Sequence, residues 1–413
     1  MDSKYPQKGR QWDDLRTEMI ESAKNDLNWQ QGRHSAFVWH ANDEVKEVAR
    51  KAYSMFMTTN GLGKIVFPSI LKMEQDVIAM VLSNLNGENA AGHMTSGGTE
   101  SIFLAVKAAR DWAREKKPDI KQPEIVAPFS AHPALNKSAH YLGIKVVRVP
   151  TRDDFRADVE AMSKAVNENT IMFYSSAPAF SMGVIDPIGD LGQVAVDKDL
   201  WLHVDACVGG ILAPFVRKAG YPVPDFDFSL PGVTSISADL HKSGYTAKGA
   251  STILFRNIEY QAYARYDFEE WPSGLYSSLT FTGTNPGGAI AAAWAVMNYL
   301  GEDGYLEIAK TSMEARKRFE DGLAKIDGIF VWGTPDLWAV AYGSEKFDIL
   351  AVTHKMWERG WMVAPNSEPA GIHFMISPVH EHVIEDYLTA LQESIRDVLG
   401  GDGPDAPVEV RYA

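Results

Sequence analysis

From about Pro68 to Leu300, helix-length amphipathic runs alternate with short runs rich in β-branched and aromatic residues: Glu124–Ala127, Lys145–Val149, Ile171–Tyr174, Trp201–Val204 and Ser251–Phe255. Helices recurring between short apolar strands predict βαβ units and a mostly parallel sheet, because parallel neighbours need a crossover that the intervening helix supplies. Upstream, Trp12 to Tyr53 mixes polar and apolar positions at helical spacing with no compact strand signal, which predicts an N-terminal helical arm. After Gly301 come a charged helix over Leu306–Lys325, the runs Ile329–Trp332 and Leu337–Ala341, a helix over Ile349–Arg359 and the run His373–Ile376. This pattern predicts a smaller α+β unit. The expected division is an arm at 1–60, a large α/β domain at 61–300 and a small C-terminal α+β domain at 301–413, with a turn-rich tail from Gly400 to Pro407.

The chain has 413 residues, 45% hydrophobic and 23% charged, the balance of a globular protein with a sizeable core. Its net charge of -14 argues against nucleic acid or an anionic membrane as partner, since such binding draws on clustered Lys and Arg. Any anionic ligand must be held by local groups. The single cysteine, Cys207, excludes an intrachain disulfide and a thiolate zinc site, and fits a reducing compartment. The first residues lack the apolar core of a signal peptide, and the apolar stretch Ala289–Leu300 is shorter than the roughly 20 residues that span a bilayer. A cytoplasmic protein with no stable membrane anchor is expected.

Three stretches carry candidate chemistry. In Gly92–Arg110, GHMTSGGTESIFLAVKAAR, a Ser/Gly/Thr turn opens directly into an amphipathic helix. The exposed N–H groups of such a helix start make a seat for phosphate, although Thr95, Ser96 or Thr99 could equally act as a plain cap. The stretch contains neither a Walker loop nor a dinucleotide fingerprint, which counts against ATP and NAD. In Leu200–Gly210, LWLHVDACVGG, an apolar strand delivers Asp205 at its carboxyl end, where open α/β sheets bind ligands. That carboxylate could pair with a protonated ring nitrogen of a cofactor or cap the next turn. The spacing of His203, Asp205 and Cys207 also permits a metal, but no further His/Cys cluster supports one, and no metal is expected. In Ser235–Ser251, SISADLHKSGYTAKGAS, Lys242 sits in a polar turn where a positioned, partly desolvated amine could form an imine.

Taken in order, TSGGTES at Thr95–Ser101, SAHPALNKSA at Ser130–Ala139, HVDACVGG at His203–Gly210, SISADLHKSGYTAKG at Ser235–Gly249 and GTNPGGAIAAAWAVMNYLGEDGY at Gly283–Tyr305 resemble the group II pyridoxal-phosphate-dependent decarboxylase family. The resemblance runs from about Asn60 to Pro378. It implies the aspartate-aminotransferase-like fold type I and pyridoxal 5'-phosphate as cofactor. It further implies that Lys242 carries the cofactor as a Schiff base, Asp205 binds the pyridinium nitrogen and His132 stacks on the ring. Gly97, Gly98, Thr99, Ser237 and His241 would hold the phosphate. Gly283 and Thr284 would reach the cofactor of a neighbouring subunit, so a homodimer is implied. Asn60 and Lys248 would meet the substrate.

Within that family the chain is most similar to the lyase branch, which cleaves a phosphorylated β-hydroxy amine by retro-aldol chemistry into an aldehyde and an amine such as phosphoethanolamine. Departures from that branch are Gly63 where a histidine is usual, Ser243 after the His-Lys pair, and Asn285 in place of an arginine. They put the substrate's phosphate site in question and point to Lys64 as a replacement charge. Decarboxylation of an L-amino acid is the alternative, and a non-catalytic scaffold a third. His373, on an alternating apolar run, is read as structural.

Overall fold

The computed structural model describes residues 5–62, 65–404 and 408–411. Gly63 and Lys64, on which the substrate-phosphate expectation partly turned, lie outside the described residues.

The arm contributes α1 (Trp12–Ser22) and α2 (Asp43–Met55), the latter capped by Asn42, whose Oδ1 accepts from the Val45 N–H. After α3 (Pro68–Asn84), strands and helices alternate as β1 (Ala91–Thr95), α4 (Gly98–Lys116), β2 (Glu124–Pro128), α5 (Ala134–Leu142), β3 (Lys145–Val149), α6 (Val159–Ala165), β4 (Thr170–Ser176), α7 (Ile188–Asp197), β5 (Trp201–Asp205), α8 (Ala213–Lys218), β6 (Ser235–Ala238) and β7 (Ser251–Phe255). Seven strands form one sheet in the order β1-β7-β6-β5-β4-β2-β3. β2, β4 and β5 are buried along their whole length, as expected for strands covered by helices on both faces.

β7 alone runs against the others. Between β6 and β7 lies only segment 239–250, which contains no helix to carry the chain back across the sheet, so the two strands pair antiparallel. This return segment holds Asp239, His241, Lys242 and Lys248 at the edge where the parallel strands end.

Helix α9 (Ile258–Ala262) and the ribbon β8 (Tyr266–Phe268) and β9 (Tyr276–Ser278) lead to α10 (Gly287–Leu323). α10 is two helical stretches that meet at a kink at Gly301, whose φ of 59° interrupts the helix, and the charged helix expected after Gly301 is its second stretch. Gly287 and Gly288 let the start of α10 lie against α2 at Tyr53 and against the chain that follows it; a Cβ on Gly287 would stand 2.0 Å from Thr59 Oγ1. A four-stranded antiparallel sheet follows, in the order β10 (Ile329–Val331), β11 (Ala339–Ser344), β13 (Ala370–Met375), β12 (Ala364–Ser367), flanked by α11 (Ile349–Glu358) and α12 (Ile384–Leu399). The sequence pattern missed β12, because its Pro365 argues against a strand; the segment is tolerated at the sheet's edge.

The segment after β4 touches the smaller sheet through Gly183. Its φ is 74°, and an added Cβ would stand 2.1 Å from the Ala339 carbonyl oxygen. Gly183→Ala must pay both the left-handed conformation and the overlap, and is expected to lower unfolding free energy by about 2–4 kcal/mol in urea titrations. An unchanged midpoint would show that the contact yields without cost.

Candidate active site

The carboxyl ends of β1, β4 and β5, together with the return segment after β6, surround a cavity of about 410 Å³ lined by Ser96, Gly97, Gly98, Thr99, His132, Asp205, Cys207, Asp239, His241 and Lys242, among others. Seven residues singled out in the sequence thus converge: Gly97, Gly98, Thr99, His132, Asp205, His241 and Lys242. Four stretches far apart in the chain supply them.

α4 begins at Gly98 with Gly97 as its N-cap and no side chain capping it. Glu100 turns back instead, accepting from the N–H and hydroxyl of Ser96, while its other oxygen accepts from the Phe281 N–H at 2.8 Å. The helix start is thereby tied to the loop that carries Gly283 and Thr284. Gly98 has no room for a side chain: a Cβ would stand 2.7 Å from Cys207 Sγ and 2.9 Å from both Asp239 oxygens.

Asp205 is buried at the end of β5. Its Oδ2 accepts from the Tyr174 hydroxyl on neighbouring β4, and its Oδ1 accepts from the Cys207 N–H at 3.1 Å. Burial pushes this carboxyl up, but nearby His132, the Tyr174 hydroxyl and Lys242 outweigh it and hold the group below the usual carboxylate range. Asp205 is therefore an anion at neutral pH. His132 Nδ1 accepts from the Ala134 N–H at 3.1 Å, which leaves the ring proton on Nε2, and burial lowers its basicity. His241 likewise accepts from the Ala250 N–H through Nδ1 and is pulled down to about 4 by burial, so it too is neutral.

Lys242 Nζ lies 2.9 Å from Asp239 Oδ2. Burial alone would favour the free amine, but the Asp239 carboxylate reverses this and raises the ammonium well above the ordinary lysine value. Asp239 was part of the quoted stretch, yet nothing in its local pattern distinguished it from a turn residue. Tyr174 carried no sequence signal at all. Trp39, from the arm, places its ring 6.0 Å from Lys242 Nζ and 5.1 Å from Lys248 Nζ, a cation–π platform under both lysines.

The other expected residues lie apart from the cavity wall. Ser237 is fully buried behind it, its Oγ accepting from the Cys207 thiol at 3.3 Å and standing 3.4 Å from Asp205 Oδ1. Lys248 Nζ donates to the carbonyls of Phe37 and His241, both at 3.3 Å. Asn60 Oδ1 accepts from the Leu62 N–H, and its backbone bridges to Pro286. Gly283 and Thr284 are exposed on the surface of the chain. Of the departing positions, Ser243 is buried and donates to the Val208 carbonyl, while Asn285 is engaged by Thr282 and Thr280. His203 Nδ1 is bonded to Ser235 at 2.8 Å, and among the described residues no group of three His, Cys, Asp or Glu could hold a metal ion.

A second cavity, of about 970 Å³, adjoins the first across His132 and Phe180. Phe37, Phe129, Met182, Trp357 and Met362 supply apolar wall, and Arg148, Asn366, Glu368 and Arg411 stand among them. His373 also faces it, with Nδ1 bonded to Asn366 Oδ1 at 3.0 Å and its ring 4.8 Å from that of Phe180.

The chain is 44% identical to sphingosine-1-phosphate lyase of Arabidopsis thaliana over 94% of its own length and 72% of that protein's. It is 41% identical to sphingosine-1-phosphate lyase 1 of Rattus norvegicus, over 95% of this chain and 70% of that protein. The solved structure of Burkholderia pseudomallei sphingosine-1-phosphate lyase superposes with a TM-score of 0.92 at 36% identity, covering 96% of this chain and 93% of that one. The model of the pyridoxal-dependent decarboxylase conserved domain matches residues 1–343, and the chain belongs to that family.

Proposed function

We propose that this pyridoxal-phosphate-dependent lyase carries out retro-aldol cleavage of a phosphorylated long-chain β-hydroxy amine, giving an aldehyde and an amine such as phosphoethanolamine. The observation that carries the reading is likeness over nearly the whole chain to proteins named sphingosine-1-phosphate lyase, joined to a cavity in which Lys242, Asp205 and His132 converge.

The residues present fit the cofactor. α4 offers uncapped N–H groups to its phosphate beside Gly97, Gly98 and Thr99, and the absence of a side chain at Gly98 keeps that space open. Asp205, held as an anion by Tyr174 and Cys207, is the partner for a protonated ring nitrogen. Neutral His132 offers its ring face, and Lys242 is the amine for covalent attachment. Bound there, the cofactor supplies an electron sink for the pair left on Cα when a bond to it breaks. The chain's own contribution is to keep a proton on the ring nitrogen through Asp205 and to hold His132 uncharged. Lys242 would hold the cofactor covalently, and its Nζ would also be the group to carry a proton to Cα of the substrate. The apolar part of the adjoining cavity gives room for a hydrocarbon chain.

Lys248 is proposed to face the substrate's anionic group. Burial, with help from Lys242, brings its ammonium down to about 8. The charge is then present below that pH and lost above it, so KM for an anionic substrate is expected to stay level below pH 8 and climb above it. Lys248→Arg, which stays charged, should abolish the climb. A wild-type KM that is flat through pH 8 would remove Lys248 from substrate binding.

A homodimer completes the proposal. Gly283 and Thr284 lie outside this chain's cavity, next to Phe281 at 69% exposure, and Ile65 and Val66 expose further apolar surface at 97% and 69%. These suit burial against a second copy whose cofactor the 283–284 turn would reach. Among the described residues no helix is long and apolar enough to cross a membrane. The buried free thiol of Cys207 suits the cytoplasmic setting proposed here.

The test is mass spectrometry of products after incubation with a long-chain sphingoid base 1-phosphate. A long-chain aldehyde with phosphoethanolamine establishes the lyase. Intact substrate, together with carbon dioxide release from an L-amino acid, would establish the decarboxylase instead.

A further inference from the structure

We infer that Glu100 is a positioning residue that joins the two cofactor sites of the homodimer: one of its oxygens shapes the phosphate seat of its own chain, and the other holds the turn that this chain lends to its partner's cofactor. The inference rests on the reading of the 283–284 turn as reaching a second copy's site.

Three observations carry it. First, Glu100, the third residue of α4, lines the cavity and is 8% exposed. Its Oε2 accepts from the Ser96 N–H at 2.7 Å and from the Ser96 hydroxyl. It thereby fixes the residue before the N-cap and leaves the N–H groups of Gly98 and Thr99 to an anion. Second, its Oε1 accepts from the N–H groups of Phe281 and Thr282 at 2.8 and 3.3 Å. Phe103, on the same helix, meets the Phe281 ring at 4.9 Å. Beyond that anchor the turn is bound again: Thr282 Oγ1 donates to Asn285 Oδ1 at 2.8 Å, and the Asn285 carbonyl accepts from the Gly61 N–H at 2.9 Å. Gly283 and Thr284 are therefore exposed between two fixed points.

Third, the four groups that Glu100 accepts from are three backbone N–H groups and a hydroxyl, none of them a cation. A backbone N–H only donates, so both sides of the side chain must be acceptors, and a carboxylate meets that demand where an amide cannot. An amide would turn its NH2 toward one side and lose a backbone bond there. Because the two oxygens share one rigid plane, a displacement of the seat is carried to the turn and the reverse. Retention of cofactor at each site then depends on the Glu100 of both chains.

The experiment uses mixed dimers, made by co-expressing two differently tagged chains and purifying through both tags. One chain carries Lys242→Ala, so that borohydride fixes cofactor only on the intact chain, and the fixed fraction is followed by peptide mass spectrometry against free pyridoxal 5'-phosphate. With Glu100→Gln added to the Lys242→Ala chain, half-saturation of the intact chain is expected to need about tenfold more cofactor. With Glu100→Gln placed in the intact chain instead, a loss of similar size is expected. A carboxylate that only stabilises its own chain would give the second loss without the first, and that result overturns the inference. Gly283→Val in the Lys242→Ala chain tests the footing, since a side chain there has open space within its own chain. If Gly283→Val weakens retention on the intact chain and Glu100→Gln beside it does not, the turn reaches across but Glu100 does not govern it. If neither does, or if no mixed dimer forms, the reading of the turn fails and the inference falls with it. If Glu100→Gln does not fold, Glu100→Ala removes both acceptors without setting an amide against N–H groups, and the same loss on the intact chain is required of it.

Discussion

Lys242→Ala is expected to lower turnover by at least about 10⁴-fold and to yield protein from which borohydride fixes no cofactor. The size of the effect follows from the position of this amine. It is proposed both to carry the cofactor and to return the proton to Cα, so its loss removes two functions at once. Folding should survive, because removal of the ammonium also relieves its desolvation at the rim of the cavity, although Asp239 is then left without its ion-pair partner. The measurement is steady-state turnover beside the visible absorbance of the reconstituted variant. Activity within tenfold of wild type would exclude Lys242 as the attachment residue, and with it the proposed roles of the cavity.

Asp205→Asn is expected to lower kcat by about 10³-fold, or about 4 kcal/mol of barrier, with the cofactor still attached. An asparagine nearly preserves the shape of the side chain and can still accept from Tyr174 or the Cys207 N–H, but it carries no charge to hold a proton on the ring nitrogen. The electron sink is weakened while the binding site is conserved. Two readings therefore separate cleanly: borohydride-fixable cofactor close to the wild-type amount, and kcat far below it. A variant that lost cofactor and activity together would mean that Asp205 serves mainly to bind. Unchanged kcat would show that the ring nitrogen needs no carboxylate here.

Much of the site could be read in the sequence, and the reason is local. The Thr95–Ser101 turn, the strand ending in Asp205 and the turn holding Lys242 are each contiguous, so residue type and spacing announce them without knowledge of the fold. The alternation of strands and helices likewise follows from local periodicity, and it led to the seven-stranded sheet with most strands parallel. The sequence also carried Gly98, although only the structure gives the reason for glycine there: the Cys207 and Asp239 side chains fill the space a Cβ would need.

What the tertiary structure alone decided is which distant groups meet. Tyr174 reaches Asp205 because β4 and β5 pair in register, with Tyr174 opposite His203 and Ser176 opposite Asp205. Trp39 lies beneath two lysines because the arm folds back over the large sheet's edge, where residues 37 and 248 touch. Glu100 joins the start of α4 to the 281–282 loop across a wide gap in sequence. Asp239, buried, comes within 2.9 Å of Lys242 Nζ and forms an ion pair with it, a contact that residue type alone did not announce. Periodicity records which face of an element is apolar and is blind to the partner that face will meet. Hydrogen bonds and ion pairs between elements depend on register and packing, which exist only once the chain has folded.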